Sequence, residues 1–202
     1  MIAIVDYDAG NVMSVVKAVE HLGGEATLTR DIDVIKNADH VIVPGVGAFE
    51  DAMDRLGRYD LIEPIREVAQ SGTPIMGICL GLQLFFEGSE ESEHNVEGLN
   101  LLPGRLYRFP ETEGYKIPQI GWNALSIRSN SRLFAGIEDG SFVYFVHSYY
   151  LSATNKSDVA ATADYMIPFD AAVEHDNIFA TQFHPEKSGE VGLQILKNFV
   201  DI

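Results

Sequence analysis

Two short stretches carry residue types that could do covalent chemistry. The first, Gly77-Ile78-Cys79-Leu80-Gly81, has the form G-x-C-x-G and holds the only cysteine of the chain. It lies between the apolar run Pro74 to Ile78 and the helix-forming run Leu80 to Phe86. A nucleophile elbow requires that context, a tight strand-to-helix turn that exposes its central side chain. Flanking glycines let the chain pack closely around a strained residue, and a helix amino terminus stabilises a thiolate. The second stretch is His184-Pro185-Glu186, which ends the apolar run Ile178 to Phe183. Proline fixes φ and breaks regular structure, so His184 is expected on a defined turn at a strand end. Glu186 can hold one ring nitrogen while the other meets a thiol, as nucleophilic catalysis by cysteine needs. Each stretch also has a plainer reading: an inert core cysteine, and a strand-capping histidine beside a surface glutamate. For His21, His40, His94, His147 and His175 a surface or core role is the default.

The elements that must position these residues follow from periodicity. Ile2 to Val5 reads as a strand buried on both faces. After Asp8-Ala9-Gly10-Asn11, the residues Val12, Val15, Val16, Val19 and Leu22 recur at helical spacing and end at Gly23-Gly24. Ala26 to Leu28 is a short strand. His40 to Val43 is another, stopped by Pro44-Gly45-Val46-Gly47. Helices are expected through Met53 and Leu56, and from Leu61 to Ala69, before the strand that leads to Cys79. Such alternation predicts a mixed, mainly parallel central sheet between helices. From Leu99 to Phe183 the runs are short and β-like, and Glu190 to Val200 reads as an amphipathic helix. With no linker or repeat, residues 1–202 are expected to form one domain.

Composition narrows the partners. Thirty acidic residues against fourteen basic ones give a net charge of −16, which repels phosphate backbones and anionic membranes. Neither nucleic acid nor membrane is an expected partner. One cysteine permits no internal disulfide and no multi-cysteine zinc site, so neither metal nor cofactor is expected. The amino terminus lacks the basic and apolar pattern of a signal peptide, which predicts a cytoplasmic protein.

With both chemical stretches in hand, the chain resembles the class I glutamine amidotransferases. Four further motifs sharpen the likeness: Tyr7-Asp8-Ala9-Gly10-Asn11, Pro44-Gly45-Val46-Gly47-Ala48-Phe49, Pro118-Gln119-Ile120-Gly121-Trp122-Asn123 and Phe145-Val146-His147-Ser148-Tyr149. Together with His184-Pro185-Glu186-Lys187-Ser188, they resemble the glutaminase subunits of imidazole glycerol phosphate synthases. The resemblance implies a flavodoxin-like three-layer α/β/α sandwich. It also implies hydrolysis of L-glutamine, with the ammonia passed to a (β/α)₈ cyclase subunit in histidine biosynthesis. Gln119 departs from the histidine expected in many relatives, which puts partner contacts in question before chemistry.

The same resemblance assigns roles. Cys79 is the nucleophile, His184 the acid and base, and Glu186 its orienting carboxylate. Val46, Gly47 and Leu80 supply oxyanion-hole N–H groups; Gln83, Glu91, Ser148 and Tyr149 bind glutamine, although the acidic loop around Glu91 would also suit plain solvation. Asn11, Trp122, Asn123, Tyr144 and Lys187 belong to the subunit interface or its gating. Val46 stands where related chains are glycine-rich, and a peptide flip that aims an N–H into the oxyanion hole would strain a β-branched residue. Three other readings stay open: a cysteine peptidase, for which the known local signatures are missing, a glutaminase feeding a different synthase, and a non-catalytic scaffold that binds a cyclase.

Overall fold

Apolar runs too short for helices form the strands, and the amphipathic runs form the helices. The computed structural model describes residues 1–202. In chain order its first half comprises β1 (Ile2–Val5), α1 (Val12–His21), β2 (Ala26–Thr29), α2 (Ile32–Lys36), β3 (His40–Gly45), α3 (Phe49–Arg58), α4 (Ile62–Ser71), β4 (Ile75–Cys79) and α5 (Leu80–Leu84). The second half adds β5 (Gly104–Arg108), β6 (Gln119–Ala124), β7 (Ser126–Ile127), β8 (Phe142–His147) and β9 (Tyr149–Ala153). It ends with β10 (Val159–Tyr165), β11 (Ile167–His175), β12 (Ile178–Thr181) and α6 (Gly189–Val200).

Strands β2, β1, β3, β4 and β12 run side by side and parallel in that order. Antiparallel β11, β10 and β7 extend the sheet beyond β12, and β5 and β9 branch from β11. Alternate residues feed two cores: Ala3, Val5, Val43 and Ile75 pack under α2, α3 and α4, whereas Ile4, Ile42, Met76 and Ile78 pack under α1 and α6. This is the expected three-layer sandwich. No helix is long and apolar enough to cross a membrane.

Three local features depart from the expected elements. Helix α2 was not expected, since five residues are too few to display a period; Asp31 caps it, accepting from Asp33 N at 2.9 Å and Val34 N at 3.2 Å. Strand β3 continues through Pro44 and Gly45 instead of stopping before them. Its pairing with β1 ends at Ile42, so the missing N–H of Pro44 interrupts no ladder, and Gly45 still pairs with Cys79 on β4. Finally, β6 and β8 form a separate antiparallel pair in which Trp122 lies opposite Tyr144. One face of this pair is apolar and open to solvent, with Ile120 63%, Trp122 55% and Phe142 57% exposed.

Candidate active site

The carboxyl ends of β1, β3, β4 and β12 converge on one crevice, the place where open α/β sheets bind ligands. Cys79 ends β4 with φ 55° and ψ −107°, and α5 starts at the next residue. Positive φ in a cysteine is uncommon and costs roughly 1–3 kcal/mol unless the surroundings hold it. Here backbone packing holds it: a Cβ on Gly81 would sit 1.9 Å from the Val43 carbonyl oxygen. On Gly45 a Cβ would lie 2.4 Å from the Tyr7 hydroxyl, which itself donates to the Pro44 carbonyl at 2.6 Å. The elbow and the loop beside it therefore fit only with glycine at both places.

A cavity of about 310 Å³ opens over this turn, at the small end of the range for small-molecule sites. Its wall includes Val46, Gly47, Cys79, Leu80, Gln83 and Glu91, and on the opposite side His147, Ser148, Tyr149 and His184. Every residue expected to act on or bind glutamine is in that wall except Glu186, which stands behind His184. His184 Nδ1 and Glu186 Oε1 are 2.8 Å apart, and both side chains are 2% exposed. The other ring nitrogen, Nε2, is buried without a hydrogen-bond partner. Burial lowers the imidazole pKa, but Cys79 and Glu186 outweigh it and push the value up to about 9. Hydrogen bonding from Cys79 and Glu186 contributes more to that rise than their charge does, and Cys79 Sγ also lies 3.9 Å from the Val146 carbonyl oxygen.

Glu91 is tied into the site rather than solvated. Its Oε2 accepts from Phe49 N at 2.8 Å, capping α3 directly after the Val46-Gly47 loop. Ser92 Oγ donates to Glu50 Oε2 at 2.9 Å and His94 bonds the same carboxylate, so this segment is fastened along the first turn of α3. Burial raises the Glu91 pKa, with the Phe49 N–H opposing it.

Positions 119 and 147 meet inside the molecule. Gln119 is buried, with its Oε1 3.0 Å from His147 Nε2. His147 is part of the cavity wall, and burial depresses its pKa to about 4. The imidazole is therefore neutral near pH 7. Its Nδ1 lies 2.8 Å from the Tyr149 carbonyl and its Nε2 3.0 Å from Gln119 Oε1, so the one N–H of the neutral ring serves one of these two acceptors. The β period carries Gln119 inward because its neighbours Ile120 and Trp122 fall on opposite sides of the same pleat from Gly121, and the buried face belongs to the positions opposite His147 and Phe145.

The residues expected at an interface lie elsewhere. Trp122 and Tyr144 stack edge to face with centroids 6.1 Å apart, Lys187 is exposed, and Asn11 sits exposed at the carboxyl end of β1 with φ 62°. Asn123 is less free, donating to the Asp164 carbonyl at 2.9 Å. Two residues that sequence reasoning missed join these regions to His184 and Cys79. Ser188 Oγ accepts from Tyr144 N at 2.9 Å and donates to the His184 carbonyl at 2.6 Å, while His184 N donates to the Tyr144 carbonyl at 3.0 Å. Gln182 is fully buried, with its amide nitrogen 3.9 Å from Cys79 Sγ. An amide side chain inside the apolar run from Ile178 to Phe183 was the available signal.

Similarity to known proteins covers the same ground. The pattern of the class-I glutamine amidotransferase family matches residues 3–202. The chain is 51% identical over 207 residues to the imidazole glycerol phosphate synthase subunit HisH of Syntrophotalea carbinolica, with 100% of both chains covered. It is 51% identical over 203 residues to the subunit of the same name from Geobacter metallireducens, covering 98% of this chain and 96% of that one. Among solved structures, it is similar in fold to PurLQS from Thermotoga maritima, with a TM-score of 0.75 at 20% identity over 99% of this chain and 97% of that one.

Proposed function

The chain belongs to the class I glutamine amidotransferases, and from that premise we propose that it is the glutaminase subunit of an imidazole glycerol phosphate synthase. It hydrolyses L-glutamine to glutamate and ammonia and delivers the ammonia to a (β/α)₈ cyclase subunit, which forms imidazole glycerol phosphate and an aminoimidazole carboxamide ribotide. Residues 1–202 act as one amidotransferase domain, working in the cytoplasm with the rest of the biosynthetic pathway.

The observation that carries this reading is the meeting of Cys79, His184 and the Val46-Gly47 loop in one cavity, with Glu186 behind the imidazole. In the mechanism, the proton shared between Cys79 and His184 is held on His184 Nε2, and the Cys79 thiolate attacks the side-chain amide carbon of glutamine. Glu186 holds the ring in the Nδ1–H tautomer and stabilises the imidazolium. The carbonyl oxygen, now negative, takes hydrogen bonds from backbone N–H groups at Leu80 and in the Val46-Gly47 loop. The C–N bond breaks as His184 returns the proton to the departing nitrogen, leaving ammonia and a thioester. His184 then takes a proton from water, whose oxygen displaces the sulfur and releases glutamate. Gln83, Ser148 and Tyr149 line the substrate's path, and the free oxygen of Glu91 suits its α-ammonium group.

The test uses the complex with the cyclase. Cys79→Ala is expected to abolish glutamine-dependent synthesis while leaving ammonia-dependent synthesis nearly intact, since the cyclase does not use the thiol. Loss of both activities together would mean a structural cysteine.

A further inference from the structure

The polar groups around Cys79 include one that the mechanism above leaves unused. Gln182 follows β12 directly and is wholly buried, its backbone N–H donating to the Ala171 carbonyl at 2.8 Å. Its side chain forms the last link of a three-member chain. Gln83 Nε2 lies 3.4 Å from the Tyr149 carbonyl and 3.1 Å from Gln182 Oε1, and Gln182 Nε2 lies 3.9 Å from Cys79 Sγ.

The far end of the chain fixes its direction. A backbone carbonyl can only accept, so Gln83 must present its NH₂ group to Tyr149. The second hydrogen of that group then needs an acceptor, which Gln182 Oε1 provides. Gln182 is left with its own NH₂ turned toward the sulfur. Reversing the Gln182 amide would set two NH₂ groups against each other and a carbonyl oxygen against Sγ, leaving buried donors unpaired.

This orientation matters because of what else surrounds the sulfur. Sγ lies 3.9 Å from the Val146 carbonyl oxygen, an acceptor that suits S–H and repels S⁻. The titratable groups nearby are His184 and Glu186 after β12, His147 on β8, Glu91 before β5 and Tyr7 after β1. The Tyr7 hydroxyl is already committed to the Pro44 carbonyl, His147 is bonded at both nitrogens, and the two glutamates carry negative charge or none. Gln182 Nε2 is a side-chain donor within hydrogen-bond distance of Sγ.

We infer that Gln182 is a catalytic residue of the glutaminase, an uncharged donor that stabilises the Cys79 thiolate, and that Gln83 positions it. Unlike His184, Gln182 gives up no proton, so it supports the thiolate both before attack and when the thioester is cleaved. The inference also divides the work of Gln83: both its amide hydrogens are spent inside the protein, leaving only its oxygen for a substrate.

The inference rests on the glutaminase reading for its chemistry, but its test does not need glutamine. In the complex with the cyclase, the rate at which iodoacetamide alkylates Cys79 is followed against pH. Gln182→Met keeps the length of the side chain and removes the donor; its alkylation midpoint is expected to rise by about one pH unit, with about tenfold less thiolate at neutral pH. Its kcat for glutamine should fall at least as far, with KM within about twofold. Gln182→Glu keeps the acceptor for Gln83 and sets an oxygen opposite the sulfur, and it should raise the midpoint further. Adding Gln83→Met to Gln182→Met should move the midpoint no more, because the two act in series. Ammonia-dependent synthesis reports that each variant is folded. A wild-type midpoint in both Gln182 variants would overturn the inference and make Gln182 a packing residue. If instead the wild-type complex alkylates normally but does not hydrolyse glutamine, the functional reading fails and the donor assignment stands.

Discussion

His147 shows how one buried side chain can tie stability to pH. Desolvation holds its pKa at about 4, against an ordinary value of 6.5, so between those two values the unfolded chain binds a proton that the native chain refuses. Stability from this group is full above pH 6.5 and is lost as pH falls through 4, amounting to about 3 kcal/mol by linkage. The difference in unfolding free energy between wild type and His147→Gln should shrink by that order from pH 6.5 to 4, the carboxylates cancelling in the comparison. A difference that stays flat would mean His147 is protonated in the native state. The meeting of Cys79, His184 and Glu186 was legible in the sequence because they sit in stretches whose local pattern announces a turn. Gln119, His147 and Gln182 were harder to read, since their importance comes from partners 28, 28 and 103 residues away in the chain.

Among the elements, the loop between β3 and α3 is under the most control. Tyr7 holds its start at Pro44, Glu91 caps the helix at its end, and Val46 packs close beside Gly10. Val46 keeps an ordinary negative φ, whereas Gly47 next to it has φ 109°. Turning a peptide of this loop toward the cavity would drive Val46 into strained backbone at a cost of about 1–3 kcal/mol. Val46→Gly removes that cost, so the basal glutaminase rate without a partner should rise several-fold; an unchanged or lower rate in a folded variant would place the control elsewhere. Long elements with a clear period, α1 and α6 above all, could be read from sequence within a residue or two. Helix α2 could not, because its stability comes from the Asp31 cap instead of a repeated apolar face. The separate pairing of β6 with β8 was also hidden, as nothing local to either strand names its neighbour.

For the whole molecule, we propose that strand pair as the route by which a partner reaches the chemistry. Its exposed face carries Ile120, Trp122 and Phe142, and its Tyr144 is bonded through the backbone to Ser188 and His184. A protein covering this face would press on the turn that holds His184. Glutaminase activity is therefore expected to be low in the isolated chain and to rise when the cyclase binds its nucleotide ligand. Trp122→Ala should weaken association and reduce that rise, while leaving the low basal rate within about twofold. Full activity in the lone subunit would contradict the coupling.

The backbone contact at Gly81 has a consequence on a longer timescale. With the Val43 carbonyl 1.9 Å from where a Cβ would be, no other residue is tolerated there, and the same crowding constrains Gly45 and Gly77. The elbow is thus closed to gradual change by point mutation. Descendants of such a chain can diverge in their outer strands, surface charge and connecting segments, acquiring new recipients for ammonia, but they inherit the turn unaltered or lose the activity. A saturation library scored for glutamine-dependent growth should show this as a block of intolerance at Gly77, Cys79 and Gly81 beside freely variable positions on the open face of β6 and β8.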